Sequence, residues 1–197
     1  MENSLELFDQ NLLVKINSLH SDWMDTVMWY SSSTLFFLPF PFLILFLYYR
    51  RYKLRNTVAL ILCCGISVTL TDVSTNRVKH LVERYRPTHN LEIGPQLHLV
   101  KDPKGQVYRG GKFGFFSSHA ANTFGISTLF FFAANWIHRK KRWLFFLIPL
   151  PVIYSRMYMG VHYPSDVLVG SLSGFLIGYL TFLLYRKYFF KSPLINE

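Results

Sequence analysis

Apolar and polar positions divide the 197-residue chain into one amphipathic segment and five long apolar ones. In residues 4–20, Leu5, Phe8, Leu12, Ile16 and Leu19 recur at three- and four-residue steps opposite Asp9, Asn11 and Lys15. That period predicts a helix with one apolar stripe. It is too polar to cross a bilayer, so the expectation is an interfacial helix. The alternative is a soluble helix packed on an outer loop. Five apolar stretches follow, over residues 25–49, 57–76, 119–137, 143–157 and 167–185. Each is read as a membrane-spanning helix. Pro39 and Pro41 are expected to kink the first. The second is expected to stay helical through Lys79 and Leu81, and Pro149 and Pro151 interrupt the short fourth. Gly170, Gly174 and Gly178 form a four-residue stripe on the fifth, suited to close helix packing. The predicted fold is all-α: one domain over residues 1–197, an integral membrane bundle of about five spans plus the N-terminal interfacial helix.

Charge then sets orientation. The formal net charge is +10, which in a soluble protein would suggest nucleic acid. Here the basic residues cluster at the ends of apolar runs, so they read as topology signals and no nucleic-acid partner is expected. Arg50, Arg51, Lys53 and Arg55 lie between spans one and two, and Arg139, Lys140, Lys141 and Arg142 between three and four. Arg186, Lys187 and Lys191 follow span five, with the terminal Glu197 the acidic residue on that side. The positive-inside rule makes that side cytoplasmic. The N-terminus and residues 77–117 then face outward. The acidic start MENSLELFDQ shows no cleavable signal peptide. The adjacent Cys63 and Cys64 have no metal-site spacing.

Span parity brings three polar groups to the outer face. Lys79 and Arg86, two helical turns apart, leave span two. Ser117, Ser118 and His119 open span three, where the serines are natural caps and first-turn amides can hold phosphate oxygens. Arg156, His162 and Asp166 lie between spans four and five. Three cations near one point imply an anion. An aspartate four residues after a histidine can hold one ring nitrogen and leave the other free. Together these groups read as a phosphoryl-transfer site. His162 is the expected nucleophile and Asp166 its orienting partner. His119 is the expected acid for the leaving oxygen and later the base for water. Lys79, Arg86, Arg156 and the Ser117 and Ser118 amides hold the phosphate. Asp166 is expected to raise the His162 pKa, and the cations to lower that of His119. No metal or other cofactor is expected.

These residues resemble the type 2 phosphatidic acid phosphatase superfamily of integral membrane lipid phosphatases. Lys79-x6-Arg86-Pro87 fits its first motif, and Ser155-Arg156-x5-His162-x3-Asp166 its third. The second motif, usually Pro-Ser-Gly-His, reads Phe116-Ser117-Ser118-His119 here. The resemblance implies metal-independent dephosphorylation of a lipid phosphate, with His162 as nucleophile and His119 as acid. The expected setting is the bacterial cytoplasmic membrane, with the site facing outward. The partner is a phospholipid or polyprenyl phosphate, and oligomeric state is left open. Undecaprenyl diphosphate is the first expectation, with phosphatidylglycerol phosphate and lipid A as alternatives. The loop over residues 89–114 is the expected headgroup selector. The rival class is a non-enzymatic anion- or lipid-binding membrane protein.

Overall fold

A computed structural model describes residues 4–190. Lys191 and Glu197, counted above in the charge after span five, lie outside the described residues. The regular structure of the described residues is helical, apart from two isolated β-bridges in a long irregular loop layer over residues 83–117. Its main helices are α1 (Ser4–Asn17), α2 (Asp22–Ser31), α3 (Thr34–Phe37), α4 (Pro39–Val82), α5 (Ser118–Ala133), α6 (Arg139–Arg142), α7 (Pro149–Tyr158) and α8 (Pro164–Leu184).

The first predicted span begins later than its hydrophobicity suggests. Residues 31–33 are consecutive serines, whose hydroxyls compete for nearby backbone groups. Ser33 Oγ accepts from the Phe36 amide and caps α3, so α2 ends before the apolar run begins. Helix α2 belongs instead to an outer layer, where Met28 packs with Tyr158, Val100 and Val161. Helix α4 is interrupted at Lys53, which takes φ 63° and ψ −177°. Residues from both sides of that break line the same groove, Pro41 and Leu45 facing Ile61 and Val68, so the chain doubles back there. Two helical segments, Thr34–Val82 and Pro164–Phe189, are long and apolar enough to cross a membrane.

Burial is arranged as lipid solvent requires. Leu35, Phe42, Leu62, Leu70, Leu168 and Leu172 are exposed, while Ser67, Thr71, Thr75, Thr128, Ser171 and Thr181 are buried. Thr71, Thr75, Ser171 and Thr181 bond carbonyls of their own helices, as Thr71 does to that of Ser67 and Thr181 to that of Ile177. Ser67 Oγ and Thr128 Oγ1 have no partner among the described residues. The predicted glycine stripe is used inside the chain. A Cβ on Gly174 would stand 2.2 Å from the Ala121 carbonyl oxygen, and one on Gly178 2.3 Å from that of Gly125. Helices α5 and α8 therefore touch backbone to backbone.

Helix α1 keeps Asn11 and Lys15 exposed and Leu12 and Ile16 partly buried, as expected, but departs from that pattern elsewhere. Its polar Asp9, Gln10 and Asn17 are buried with Leu13, whereas Leu5 and Phe8 are exposed. The cause is a set of polar partners that periodicity does not show. Asn17 donates to the His98 and Tyr158 carbonyls at 2.9 and 2.7 Å and accepts from the His98 amide at 2.8 Å. Leu13 packs with Ile93, Leu97 and Tyr163 of the loop layer.

Candidate active site

The nucleophile candidate sits between α7 and α8. Burial encloses His162 almost completely, and Asp166 in the first turn of α8 is fully buried. Asp166 Oδ2 accepts from the Tyr163 amide at 3.0 Å and stands 3.3 Å from His162 Nδ1. On the far side of the ring, Arg86 Nη1 donates to Nε2 at 3.2 Å. A carboxylate at Nδ1 and a donor at Nε2 demand one tautomer: hydrogen on Nδ1, lone pair on Nε2. Burial, followed by the charges of Arg86, Arg156 and Lys79, holds the His162 pKa well below its usual value. The expected rise from Asp166 is thus outweighed by desolvation and three cations. The ring is neutral, and its Nε2 lone pair can attack once a bound phosphate takes over the Arg86 hydrogen bond.

A residue outside the predicted set completes this half of the site. Arg84 Nη1 donates to Asp166 Oδ1 at 2.9 Å and to Ser165 Oγ at 2.7 Å; Nη2 donates to Asp9 Oδ2 at 2.8 Å. Its guanidinium carbon lies 4.0 Å from the centroid of the Tyr163 ring. Burial disfavours the charge, but Asp166 and Asp9 outweigh it and raise the Arg84 pKa. Arg84 thus pairs with carboxylates, unlike the phosphate-binding candidates. Nothing in the sequence sets Arg84 apart, because its distinguishing mark, a partner in α1, is a tertiary fact.

The predicted cations converge. Arg86 is fixed by the Phe113 and Val161 carbonyls, each at 3.2 Å. Burial and then Arg156 push its pKa down to about 10. Arg156 bonds Ser32 Oγ through Nη1 and Tyr108 Oη through Nη2, and its buried Nε has no partner. Lys79 Nζ donates to Ser118 Oγ at 2.7 Å, and Ser118 donates to Thr75 Oγ1 at 3.0 Å. Among the described residues none of these three cations has a carboxylate within salt-bridge distance. Bringing two buried guanidiniums and a half-buried ammonium together is unfavourable unless an anion joins them.

Helix α5 opens at the same place. Ser117 Oγ caps it by accepting from the Ala120 amide, but the Ser117 amide donates to the Asp166 carbonyl at 3.0 Å. That corrects the expectation for Ser117, whose amide is taken and whose part is to tie α5 to α8. The first-turn amides of Ser118 and His119 remain for an anion. Ser118, where the family motif has glycine, adds a hydroxyl bridge between Lys79 and Thr75. His119 lies within reach of the charges of Arg156, His162, Arg86 and Lys79. It also lines a groove of about 780 Å³ between the two arms of α4 and helices α5 and α7.

A sequence profile described as PAP2 superfamily matches residues 57–190. The chain belongs to the PAP2 superfamily. It is similar to a lipid A 4'-phosphatase of Bacteroides thetaiotaomicron, 32% identical over 91% of this chain and 77% of that one. A second lipid A 4'-phosphatase, from Porphyromonas gingivalis, is 27% identical over 94% of this chain and 75% of its own length. The crystal structure of a transmembrane PAP2-type phosphatidylglycerolphosphate phosphatase from Bacillus subtilis shares the fold. Its TM-score is 0.68 at 21% identity, covering 94% of this chain and 88% of that one. The chain is accordingly a PAP2 membrane phosphatase, which sets aside the non-enzymatic reading.

Proposed function

We propose that this PAP2 protein removes a phosphate monoester from a lipid A-type substrate, an acylated amino sugar, through a phosphohistidine on His162. The observation that carries the reading is the trio of cations, buried Arg86 and Arg156 and half-buried Lys79, without carboxylate partners among the described residues, gathered around a neutral histidine. Undecaprenyl diphosphate gives way as the first choice because the relatives matched over nine-tenths of this chain are named lipid A 4'-phosphatases.

His162 Nε2 attacks phosphorus while the bond from phosphorus to the lipid oxygen breaks. Lys79, Arg86, Arg156 and the Ser118 and His119 amides hold the non-bridging oxygens as charge redistributes. Asp166 accepts the Nδ1 hydrogen bond and stabilises the imidazolium that forms. His119 stands in the groove wall, on the side from which a lipid leaving group would depart, and gives that oxygen its proton. Neutral His119 then takes a proton from water. The resulting hydroxide attacks phosphorus, the P–N bond breaks, and inorganic phosphate leaves. The cations perform the charge neutralisation for which other phosphotransferases use a divalent ion, so the reaction proceeds without one.

Five crossings follow from reading α3 with the first arm of α4, the second arm, α5, the Trp143–Leu147 turn with α7, and α8 as spans. The basic groups at Lys53, α6 and Arg186 then occupy the end opposite the catalytic residues, which supports an outward site in a bacterial cytoplasmic membrane.

The test is phosphate release by the purified protein from a panel of phosphorylated lipids in detergent with EDTA present. We expect turnover to be highest on a lipid A 4'-phosphate and unchanged by the chelator. His162→Ala should release less than a thousandth as much, because no neighbour can supply the covalent bond. Release from none of the lipids, or loss in EDTA restored by magnesium, overturns the proposal.

A further inference from the structure

The groove beside His119 is apolar at its lower end, where Leu45, Phe42 and Ile61 line it, but not at its upper end. There a polar ladder descends from the phosphate-binding groups into the wall. Lys79 donates to Ser118 Oγ, and Ser118 to Thr75 Oγ1. One turn deeper, Asn122 Nδ2 donates to Asp72 Oδ1 at 2.9 Å, while Asn122 Oδ1 accepts from Thr71. Asp72 Oδ2 meets no donor among the described residues, and Asp72 and Asn122 both line the groove. Asp72, Thr75 and Lys79 follow three- and four-residue steps and share one helix face. Because the Lys79 ammonium reaches down to the Ser118–Thr75 level, Asp72 lies one helical turn, about 5 Å, below it along the axis.

We infer that Asp72, oriented by Asn122, is a specificity site for a hydrogen-bond donor carried by the lipid just below its phosphate, an amide N–H or the hydroxyl of a 3-hydroxyacyl chain. This rests on the lipid phosphatase reading and adds to it the feature by which substrates are told apart. A carboxylate facing a lipid groove is unfavourable unless its free oxygen gains a donor. With phosphate at the Lys79 ammonium and the leaving oxygen at His119, the atoms one helical turn, about 5 Å, deeper face Asp72. In a polyprenyl diphosphate those atoms are hydrocarbon and leave the carboxylate unpaired. In a diacylglycerol lipid they are ester oxygens, which are acceptors and are repelled. In an N-acylated amino sugar they include donors, and the resulting bond is charge-assisted. Discrimination of this kind is strong because the wrong lipid strands a desolvated group.

The test compares two synthetic probes in the same detergent. One is glucosamine 4-phosphate carrying an N-linked 3-hydroxyacyl chain; the other is glucose 4-phosphate carrying a plain acyl ester of equal length. The measured quantity is the ratio of their kcat/KM values. The wild-type protein should favour the amide probe at least about tenfold. Asp72→Leu should bring the ratio close to one, and Asp72→Asn, which keeps an acceptor oxygen, should give an intermediate ratio. Both variants lowering the two probes by the same factor would make Asp72 a structural partner of Asn122 and overturn the inference, as would a wild-type ratio near one. If the wild-type protein releases phosphate from neither probe nor any lipid of the wider panel, the phosphatase proposal itself fails, a distinguishable result.

Discussion

The two helix pairs that meet at the catalytic face are packed in opposite ways. Helices α5 and α8 approach until glycine meets backbone, and each begins at a catalytic candidate, His119 on one and the His162–Asp166 turn on the other. The second arm of α4 bonds α5 through side chains, not backbone, and the two arms spread beside it to leave a groove. At the top of the tight pair, a Cβ on Gly170 would lie 2.6 Å from the Ser117 carbonyl oxygen, directly under the Ser117–Asp166 bond. The fold thus fixes the spacing of its two histidines by contacts that cannot yield, and leaves the side facing the lipid open. Chemistry that depends on sub-ångström placement benefits from the first arrangement. Binding a long flexible tail needs the second.

Disturbing the tight pair should have the largest effect. Gly174→Ala puts a methyl group where the Ala121 carbonyl oxygen already lies, and neither backbone can rotate away. Overpacking of this kind costs about 1–3 kcal/mol, and separating the two helix starts by an ångström lowers the rate about 10²-fold. We expect kcat to fall by about two orders of magnitude, with Tm lowered as well. Wild-type turnover in the folded variant would show that the α5–α8 contact does not set the catalytic spacing.

Filling the open side should have a smaller and more selective effect. Gly65 lines the groove, and a Cβ there meets nothing within 4 Å. Gly65→Leu should therefore fold with a Tm close to wild type while occluding the lipid path. Its kcat/KM on a lipid phosphate should fall about tenfold more than on nitrophenyl phosphate, which needs no tail site. An equal loss on both substrates would place the obstruction in the catalytic centre rather than the groove.

The contrast between these regions was only partly legible in the sequence. The all-α fold could be read because apolar runs and flanking bases are local signals. So could the glycine stripe, although its partner could not. The convergence of Lys79, Arg86, Arg156, His119, His162 and Asp166 followed from span parity, and the structure does bring them together. What escaped depended on pairings distant in sequence. The serine run ending α2 looked like part of an apolar span. Lys53 looked like one basic residue among four rather than the point of reversal. Asp9 looked like a solvent-facing residue of α1, because a period reports which face is apolar and not which face is buried. Where the surrounding medium is lipid, those two faces can be opposite.

Asp9 gives the mildest way to probe the rigid half. Its Oδ1 accepts from the Ser165 amide at 2.8 Å, and its Oδ2 takes Arg84 Nη2 at 2.8 Å together with the Ser165 hydroxyl. Through Arg84 it holds the outer oxygen of Asp166, and through Ser165 it holds the first turn of α8. Helix α1 therefore braces the aspartate that fixes the His162 tautomer, without touching the phosphate site. Asp9→Ala removes one of the three carboxylates around Arg84, leaving Asp166 at 2.9 Å and Glu6 at 3.8 Å, and strips the part-buried Ser165 amide of its acceptor, a loss of about 1–3 kcal/mol. Arg84 still reaches Asp166, so orientation of His162 is loosened and not lost. We expect kcat to fall several-fold with KM changed less, accompanied by a lower Tm. Asp9→Asn distinguishes bracing from stability alone. Its amide oxygen can still accept from Ser165, but it gives Arg84 no charge to pair with. If the charge pairing positions Asp166, this variant should recover most of the Tm while kcat stays depressed. Full recovery of both would reduce Asp9 to a helix-docking residue, and α1 would then brace the outer layer without tuning the catalytic aspartate.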